Sequence, residues 1–200
     1  MTAAETPSNF NIPNALTLLR IAGVPVFGWL LLTHGGDSIE FRVWSCVAFA
    51  LLMITDKIDG DIARKRNLVT DFGKVSDPIA DKALTGMAFV GLSIIGALWW
   101  WITIVVLVRE WGITLMRFVV LKYGVMPASR GGKLKTMLQA LALGGYILPF
   151  EMWDNWVAEG LRWATHLMMA AAVIVTVVTA VDYIRAAVTM RREQKRLNQS

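Results

Sequence analysis

Four aspartates at helical spacing are the residues of this sequence with the clearest capacity for chemistry. Asp56 and Asp59 are three positions apart, and Asp77 and Asp81 are four apart, so each pair shares one face if its segment is helical. Both pairs fall in or beside hydrophobic stretches, where a charged side chain at the centre of a bilayer costs about 2.5 kcal/mol or more. Carboxylates in such positions indicate either function or firm ion pairing.

Facing carboxylates in a medium of low dielectric must take up protons or bind cations. All-oxygen ligands favour hard divalent ions such as Mg²⁺, Mn²⁺ or Ca²⁺, and two metal ions about 3.5 to 4 Å apart are typical of enzymes that catalyse displacement at phosphorus. The aspartates therefore predict metal-assisted phosphoryl-type chemistry. The alternative is a set of structural ion pairs with the nearby cations Lys57, Arg64, Lys74 and Lys82.

The rest of the sequence predicts a helical membrane protein that would hold these acids in place. Of its 200 residues, 56% are hydrophobic and 18% are charged, whereas an average soluble domain has about 25% charged residues. Hydrophobic runs of bilayer length indicate about six spans. They cover approximately residues 14–32, 41–65, 73–95, 99–122, 133–149 and 161 to beyond 185. Asn14 is the predicted N-cap of the first helix, behind Pro13.

We therefore expect an all-α, polytopic membrane fold with about six transmembrane helices. An interfacial segment over residues 1–13 precedes a six-helix domain over 14–190, and a basic cytoplasmic tail follows over 191–200. The single cysteine, Cys46, excludes a disulfide framework, a cysteine-rich zinc site and an iron–sulfur cluster.

The distribution of charge predicts the orientation of the chain. The net charge is +5, and three segments, 64–74, 122–135 and 191–196, each hold four of the 20 lysines and arginines. They alternate with hydrophobic blocks, as expected of cytoplasmic loops rather than of a nucleic-acid surface. The expected location is the cell (inner or plasma) membrane, with several crossings, both termini in the cytoplasm and no nucleic-acid partner.

An antiparallel hairpin of the second and third helices would bring the two acidic pairs to the same depth. A rise of about 1.5 Å per residue places Asp59 and Asp56 about 7 to 8 Å and about 12 Å beyond Arg64. Counted from Gly73, the third-helix aspartates lie about 6 Å and about 12 Å into the helix. The four carboxylates should therefore meet near the cytoplasmic surface.

The spacing of this segment has a known counterpart. From Asp56 it reads D-K-I-D-G-D-I-A-R, eight further residues, glycine, three residues, aspartate, three residues and Asp81. It resembles the signature of the CDP-alcohol phosphatidyltransferase family, D-x2-D-G-x2-A-R-x8-G-x3-D-x3-D, with all eight fixed positions present. The resemblance implies a metal-dependent membrane enzyme that displaces CMP from a CDP-linked lipid with an alcohol.

The resemblance also implies roles for individual residues. Asp56, Asp59 and Asp77 would bind two Mg²⁺ or Mn²⁺ ions, and Asp81 would be both a ligand and the general base on the acceptor hydroxyl. The residues implied beside the CDP-lipid are Ile12, Pro13, Asn14, Ala15, Gly60, Arg64, Thr70 and Gly73.

Other polar residues in these helices have simpler interpretations. Helix capping would explain Asn14 and Thr70, and a cap can coexist with a ligand contact. Arg20 lies about 9 Å into the first helix and could reach the nucleotide phosphates or extend to the interface, but we favour a structural role. Asp61 points about 200° away from Asp59, and Asp71 is expected to cap the third helix, so neither is expected to bind metal.

Basic residues further along the chain predict a pocket for an acceptor that carries a phosphate. Arg109 and Arg117 share a face of the fourth helix, and Lys133 and Lys135 begin the fifth helix, where the helix dipole also favours an anion. The alternative for each residue is a positive-inside topology signal.

Four short motifs favour one acceptor. They are N-I-P-N-A-L-T-L-L-R over 11–20, D-P-I-A-D-K over 77–82, R-E at 109–110 and G-K-L-K-T-M-L-Q over 132–139. Within the family, they resemble the branch that transfers the phosphatidyl group from CDP-diacylglycerol to sn-glycerol 3-phosphate, releasing CMP. The partners are then these two substrates, membrane lipids and, as the resemblance implies, a second copy in a homodimer. The alternatives are phosphatidylglycerol as acceptor, as in cardiolipin synthase, and inositol phosphate, as in phosphatidylinositol phosphate synthase. A more distant alternative is a divalent-cation transporter, since intramembrane acids also mark ion pathways.

Overall fold

The computed structural model describes residues 11–65, 70–120 and 130–197, with the side chains of most of them. Helices account for nearly all of this chain, and the described ranges contain no strand. The six long helices are α1 (Ile12–Leu32), α2 (Ile39–Lys65), α3 (Asp71–Ile94), α4 (Trp100–Val120), α5 (Arg130–Ile147) and α6 (Trp156–Leu197). The all-α class and the six helices are confirmed. Helix α6 continues to Leu197, so most of the predicted tail is helical.

The start of α1 differs from the prediction. Its N-cap is Asn11, whose side-chain oxygen accepts a hydrogen bond from the backbone N–H of Asn14 at 2.9 Å. Pro13 then occupies the first turn, where a missing N–H leaves no bond unmade. The assignment of the cap to Asn14 was wrong, because the helix begins two residues earlier than predicted. The side chain of Asn14 is thereby released for a tertiary contact.

The start of α3 bears out the capping interpretation of Thr70. Its side-chain oxygen accepts a hydrogen bond from the backbone N–H of Gly73 at 3.0 Å. Asp71, the predicted cap, is instead the first residue of the helix. The cap thus fixes where α3 begins, at the end of the helix that carries the acidic pair.

Buried apolar side chains from all six long helices meet between the two ends of the bundle. Helix α1 packs against α2 and α3, and α5 packs against α6. The largest fully buried apolar side chains include Phe27, Leu31, Phe89, Leu143 and Met169. Many large apolar residues are instead exposed on the outside, among them Trp29, Trp44, Leu115, Leu167 and Ile174. An apolar exterior around a packed core is consistent with a protein that lies in lipid.

Within the described residues, two helices are long and apolar enough to cross a membrane by length and composition. They are the helical stretch Ile12–Gly36 and the segment Trp156–Arg185 of α6. The other long helices carry more charged residues, including the aspartates of α2 and α3. Six crossings therefore remain a prediction.

A buried arginine ties together the turns at one end of the bundle. Arg42 on α2 donates hydrogen bonds to the carbonyls of Tyr146 and Ile147, each at 2.7 Å, and to that of Gly36 at 3.3 Å, and it pairs with Glu151 at 3.1 Å. A cavity of about 340 Å³ opens beside it. Since Arg42 precedes Asp59 by 17 residues, this cavity lies about 25 Å along α2 from the aspartates. It therefore belongs to the opposite end of the protein.

Candidate active site

The acidic pair of α2 is bound by an arginine from α1. Arg20 has no exposed side-chain surface, and its Nη1 donates to Oδ1 of Asp56 at 2.5 Å. Its Nη2 donates to Oδ2 of Asp59, which is only 2% exposed. A structural role for Arg20 was predicted, but its ion pairs with Asp56 and Asp59 were not. The ion-pair alternative had considered only cations on α2 and α3 themselves.

The acidic pair of α3 is also held from α1. The hydroxyl of Thr17, which is buried, donates to Oδ1 of Asp77 at 2.7 Å. Thr17 lies three residues before Arg20, so the two side chains share a helix face and reach α3 and α2, respectively. One face of α1 thus positions carboxylates from both neighbouring helices.

A cradle of small and polar groups lies next to this face. Asn14 donates through Nδ2 to Oγ1 of Thr70 at 2.9 Å, and both side chains are buried. A Cβ atom added to Gly73 would lie 3.1 Å from Oδ1 of Asn14, 3.4 Å from Oγ1 of Thr70 and 3.8 Å from Oδ2 of Asp77. Only glycine leaves this space open. Three residues predicted beside the CDP-lipid are thus brought together with a predicted metal ligand.

The other residues predicted beside the CDP-lipid differ in how far they are exposed. Pro13 is buried, while Ala15 and Ile12 are exposed, the latter by 57%. Gly60 is half-buried next to Asp59. Arg64 belongs to α2, but its side chain lies outside the described residues.

The fourth aspartate completes an acidic centre around Arg20. The charges that act on Asp81 are those of Asp56, Glu110, Arg20 and Lys135. Those that act on Asp59 include Arg20, Asp56 and Asp77. The four aspartates and Arg20 therefore form one electrostatic unit, and its formal charge is −3 when all five groups are ionised.

The donor set of this centre suits a hard divalent cation, since it offers carboxylate oxygens backed by the Thr17 hydroxyl. A cationic group already lies between two of the carboxylates, because Arg20 contacts both Asp56 and Asp59. Among the described residues, no three Asp, Glu, His or Cys side chains are gathered as closely as a finished metal cage would require. Metal binding would therefore need some of these carboxylates to turn.

A second polar cluster joins α4, α5 and α6. Oε1 of Glu110 accepts from Nη1 of Arg109 at 2.9 Å and from Nζ of Lys135, which is 5% exposed. Arg109 also donates to Oγ1 of Thr179 at 2.7 Å, and its guanidinium lies 5.9 Å from the centre of the Tyr183 ring. The structure thus brings together two of the residues predicted to bind the acceptor phosphate, and the charges of Glu110 and Lys135 act on Asp81.

Sequence reasoning missed the carboxylate at the centre of this cluster. Glu110 received no role, although an acid about two turns before Arg117 in an otherwise apolar helix needs a buried partner. In addition, Nε of Arg109 is buried with no hydrogen-bond partner among the described residues. Arg117 on α4 and Lys133 on α5 have side chains outside the described residues.

Comparison with known proteins gives a consistent result across most of the chain. Residues 10–189 match the sequence model of a family described as CDP-alcohol phosphatidyltransferase. A probable phosphatidylglycerophosphate synthase of Mycobacterium tuberculosis is 46% identical over 177 residues, which are 88% of this chain and 81% of the relative. The CDP-diacylglycerol–glycerol-3-phosphate 3-phosphatidyltransferase of Bacillus subtilis is 36% identical over 87% of this chain and 93% of the relative. A CMP-forming cardiolipin synthase of Streptomyces coelicolor is 31% identical over 88% of this chain and 86% of the relative.

Proposed function

The chain belongs to the CDP-alcohol phosphatidyltransferase family, and from this membership we propose its reaction. The phosphatidyl group passes from CDP-diacylglycerol to sn-glycerol 3-phosphate, giving phosphatidylglycerophosphate and CMP. Relatives named for this reaction are 36% to 46% identical to the chain, and the relative named for cardiolipin synthesis is 31% identical. The chain is thus a phospholipid-synthesising transferase of the membrane.

One observation of the structure carries the choice of acceptor. Lys135 and Asp81 lie close enough for their charges to interact, and Arg109 is linked to Lys135 through Glu110. A cationic group beside the proposed base suits an acceptor that has a hydroxyl at one end and a phosphate at the other. Arg109, with a buried Nε that has no partner among the described residues, retains a donor for that phosphate. Arg117 and Lys133 would complete the pocket.

The proposed chemistry is an in-line displacement at the phosphatidyl phosphorus. Asp81 accepts the proton of the glycerol 3-phosphate hydroxyl, whose oxygen forms a new bond to that phosphorus. The bond from the same phosphorus to the bridging oxygen of the diphosphate breaks, and CMP leaves with the bond's electron pair. Asp81 then returns the proton to solvent. Asn14, Thr70 and Gly73 leave room for the CDP moiety, with Ile12, Pro13, Ala15, Gly60 and Arg64 beside it.

Divalent metal ions are used by this family. We assign two ions, Mg²⁺ or Mn²⁺, to Asp56, Asp59, Asp77 and Asp81, and when bound they neutralise the diphosphate and stabilise the departing CMP. The net charge of the acidic centre supports this assignment, because three negative charges remain after Arg20 is counted.

The arrangement in the membrane is proposed from sequence. An interfacial segment over 1–13, a catalytic membrane domain over 14–190 and a basic tail over 191–200 follow from the positions of the apolar and basic stretches. The site and both termini face the cytoplasm, from which the water-soluble glycerol 3-phosphate would reach the site. The chain forms a homodimer in the cell membrane.

The experiment that tests this function is acceptor dependence. The purified full-length protein, in detergent with CDP-diacylglycerol and Mg²⁺ or Mn²⁺, should release CMP only when sn-glycerol 3-phosphate is added. Phosphatidylglycerol and inositol phosphate, supplied alone, should give no release above background. If either of them supports release while glycerol 3-phosphate does not, the acceptor assignment is wrong but the enzyme class stands.

A variant of the proposed phosphate pocket gives a second test. Arg109→Met should raise KM for glycerol 3-phosphate about 10- to 100-fold, as expected from losing a hydrogen bond of about 1.5 to 3 kcal/mol to a charged group. KM for CDP-diacylglycerol should stay within about twofold, since Arg109 is not placed at the nucleotide. The control is Arg162→Met, which removes an exposed arginine at the opposite end of the bundle. An equal rise of both KM values would contradict the assignment.

A further inference from the structure

Arg20 is a buried cation that contacts two of the proposed metal ligands. Each of its Nη atoms donates to one carboxylate, Nη1 to Oδ1 of Asp56 and Nη2 to Oδ2 of Asp59. Its side chain has no exposed surface, Asp59 is 2% exposed, and Asp56 is 39% exposed, so a cation can reach the site from the side of Asp56. The oxygens that Arg20 engages belong to the same carboxyl groups that a divalent cation would have to bind.

The contacts of Arg20 are strong but incomplete. Its Nε is buried and has no hydrogen-bond partner among the described residues. A buried ion pair offsets the loss of hydration only when the geometry is good and the remaining donors are satisfied. The pairing of Arg20 with Asp56 and Asp59 therefore leaves part of its desolvation uncompensated. A divalent cation carries twice the charge of Arg20 and can compete with it for the same carboxylates.

We propose that Arg20 is a built-in counter-cation that competes with divalent metal for Asp56 and Asp59 and so weakens metal binding to the acidic centre. It does so by occupying an oxygen of each carboxylate and by its own positive charge. The role rests on the proposed function, since it takes these aspartates to be metal ligands. Substrate diphosphate, which is negative, would offset the charge of Arg20, so metal and CDP-lipid should strengthen each other's binding.

A direct test is the Mn²⁺ affinity of the substrate-free protein. The free Mn²⁺ signal in electron paramagnetic resonance measures binding to the full-length protein in detergent. The substitution Arg20→Met should lower the Kd for Mn²⁺ by about tenfold or more, as expected for removing a unit charge a few ångströms from a divalent ion. The control Arg162→Met, which loses an exposed cation at the other end of the bundle, should keep the wild-type Kd.

The sign of the change separates this role from a simpler one. If Arg20 only orients the carboxylates for metal, its removal should weaken Mn²⁺ binding, as loss of an outer-shell partner usually does. An unchanged or higher Kd in Arg20→Met therefore overturns the proposal. Should that variant fail to fold, Arg20→Lys serves instead, because the shorter amine cannot span both carboxylates. The Kd of Arg20→Lys for Mn²⁺ should also fall, and an unchanged or higher Kd would equally overturn the proposal.

Melting curves at increasing Mn²⁺ give an independent readout. A ligand that binds only the folded state raises the melting temperature once its concentration exceeds Kd. The rise should begin at a lower Mn²⁺ concentration in Arg20→Met than in the wild type. A rise that begins at the same or a higher concentration contradicts the competition.

The metal-site assignment itself is checked in the same titration by Asp56→Asn. If the wild type and Asp56→Asn bind Mn²⁺ equally, the assignment of metal ligands fails, whatever Arg20 does. If Asp56→Asn loses Mn²⁺ binding but Arg20→Met matches the wild type, only the role of Arg20 fails.

Discussion

Asp81→Asn should lower kcat for CMP release by about 10³-fold or more, since a general base typically contributes about 10² to 10⁴ and Asp81 is also a proposed metal ligand. Binding of CDP-diacylglycerol should largely survive, because the proposed CDP cradle of Asn14, Thr70 and Gly73 does not involve Asp81 and three of the four proposed metal ligands remain. Stopped turnover with retained lipid binding is the signature expected of a base. Steady-state CMP release measures the turnover, and equilibrium binding of CDP-diacylglycerol to the same preparation measures the retained lipid binding.

The thermal stability of Asp81→Asn should change little. Asp81 lies among charges of both signs, with Asp56 and Glu110 opposing Arg20 and Lys135. Loss of its charge relieves two repulsions and removes two attractions, so the effects partly cancel. Asp182→Asn, at an exposed acid on α6, is a control that should keep both activity and melting temperature. Full turnover in Asp81→Asn would remove Asp81 from the role of base.

Asp59→Asn should lose both activity and stability. The carboxylate of Asp59 is 2% exposed and binds Nη2 of Arg20, which has no exposed surface. Removing one partner of a buried ion pair destabilises a protein by about 3 to 5 kcal/mol, because the remaining charge stays buried. Here Asp56 still pairs with Arg20, so we expect a loss near the lower end of that range. Loss of a proposed metal ligand should also reduce kcat at least about 10²-fold.

Melting in detergent and CMP release at saturating Mn²⁺ test this expectation together. The contrast with Asp81→Asn is the informative part, since only Asp59→Asn should fall in melting temperature. A stable and active Asp59→Asn would contradict both the ion pair with Arg20 and the metal assignment. A stable but inactive variant would retain the metal role and remove the structural one.

The helices could be predicted from sequence because membrane helices are marked twice, by apolar runs of bilayer length and by the basic segments between them. Boundaries were less secure. Asn11 and Asn14 are both good caps on either side of Pro13, and the wrong one was chosen. Proline in the first turn would have favoured Asn11, since a proline needs no N–H partner there.

The proposed metal ligands could be named from spacing, but their partners could not. Arg20 and Thr17 come from α1, and hydrophobic length alone does not say which helix faces the aspartates. A signal was nevertheless present. Asn14, Thr17 and Arg20 lie at intervals of three in an otherwise apolar helix, and all three are buried. Such a polar stripe marks the face that points toward other polar groups.

The proposed acceptor pocket was the least predictable part of the site. Arg109 and Lys135 were chosen for their charge, whereas the residues that hold them, Glu110 and Thr179, were not assigned roles. These contacts join helices that are up to 70 residues apart in sequence. They depend on how α4, α5 and α6 pack together, and no local pattern encodes that packing.

We propose that this site joins a phosphatidyl group to glycerol 3-phosphate. The most direct test of this proposal is one reaction in which the purified protein receives CDP-diacylglycerol, divalent metal and all three candidate acceptors at equal concentration, with the lipid product identified by mass spectrometry. We expect phosphatidylglycerophosphate as the dominant product, and we expect Asp81→Asn to form none of it above background. Cardiolipin or phosphatidylinositol phosphate as the dominant product would contradict the proposal.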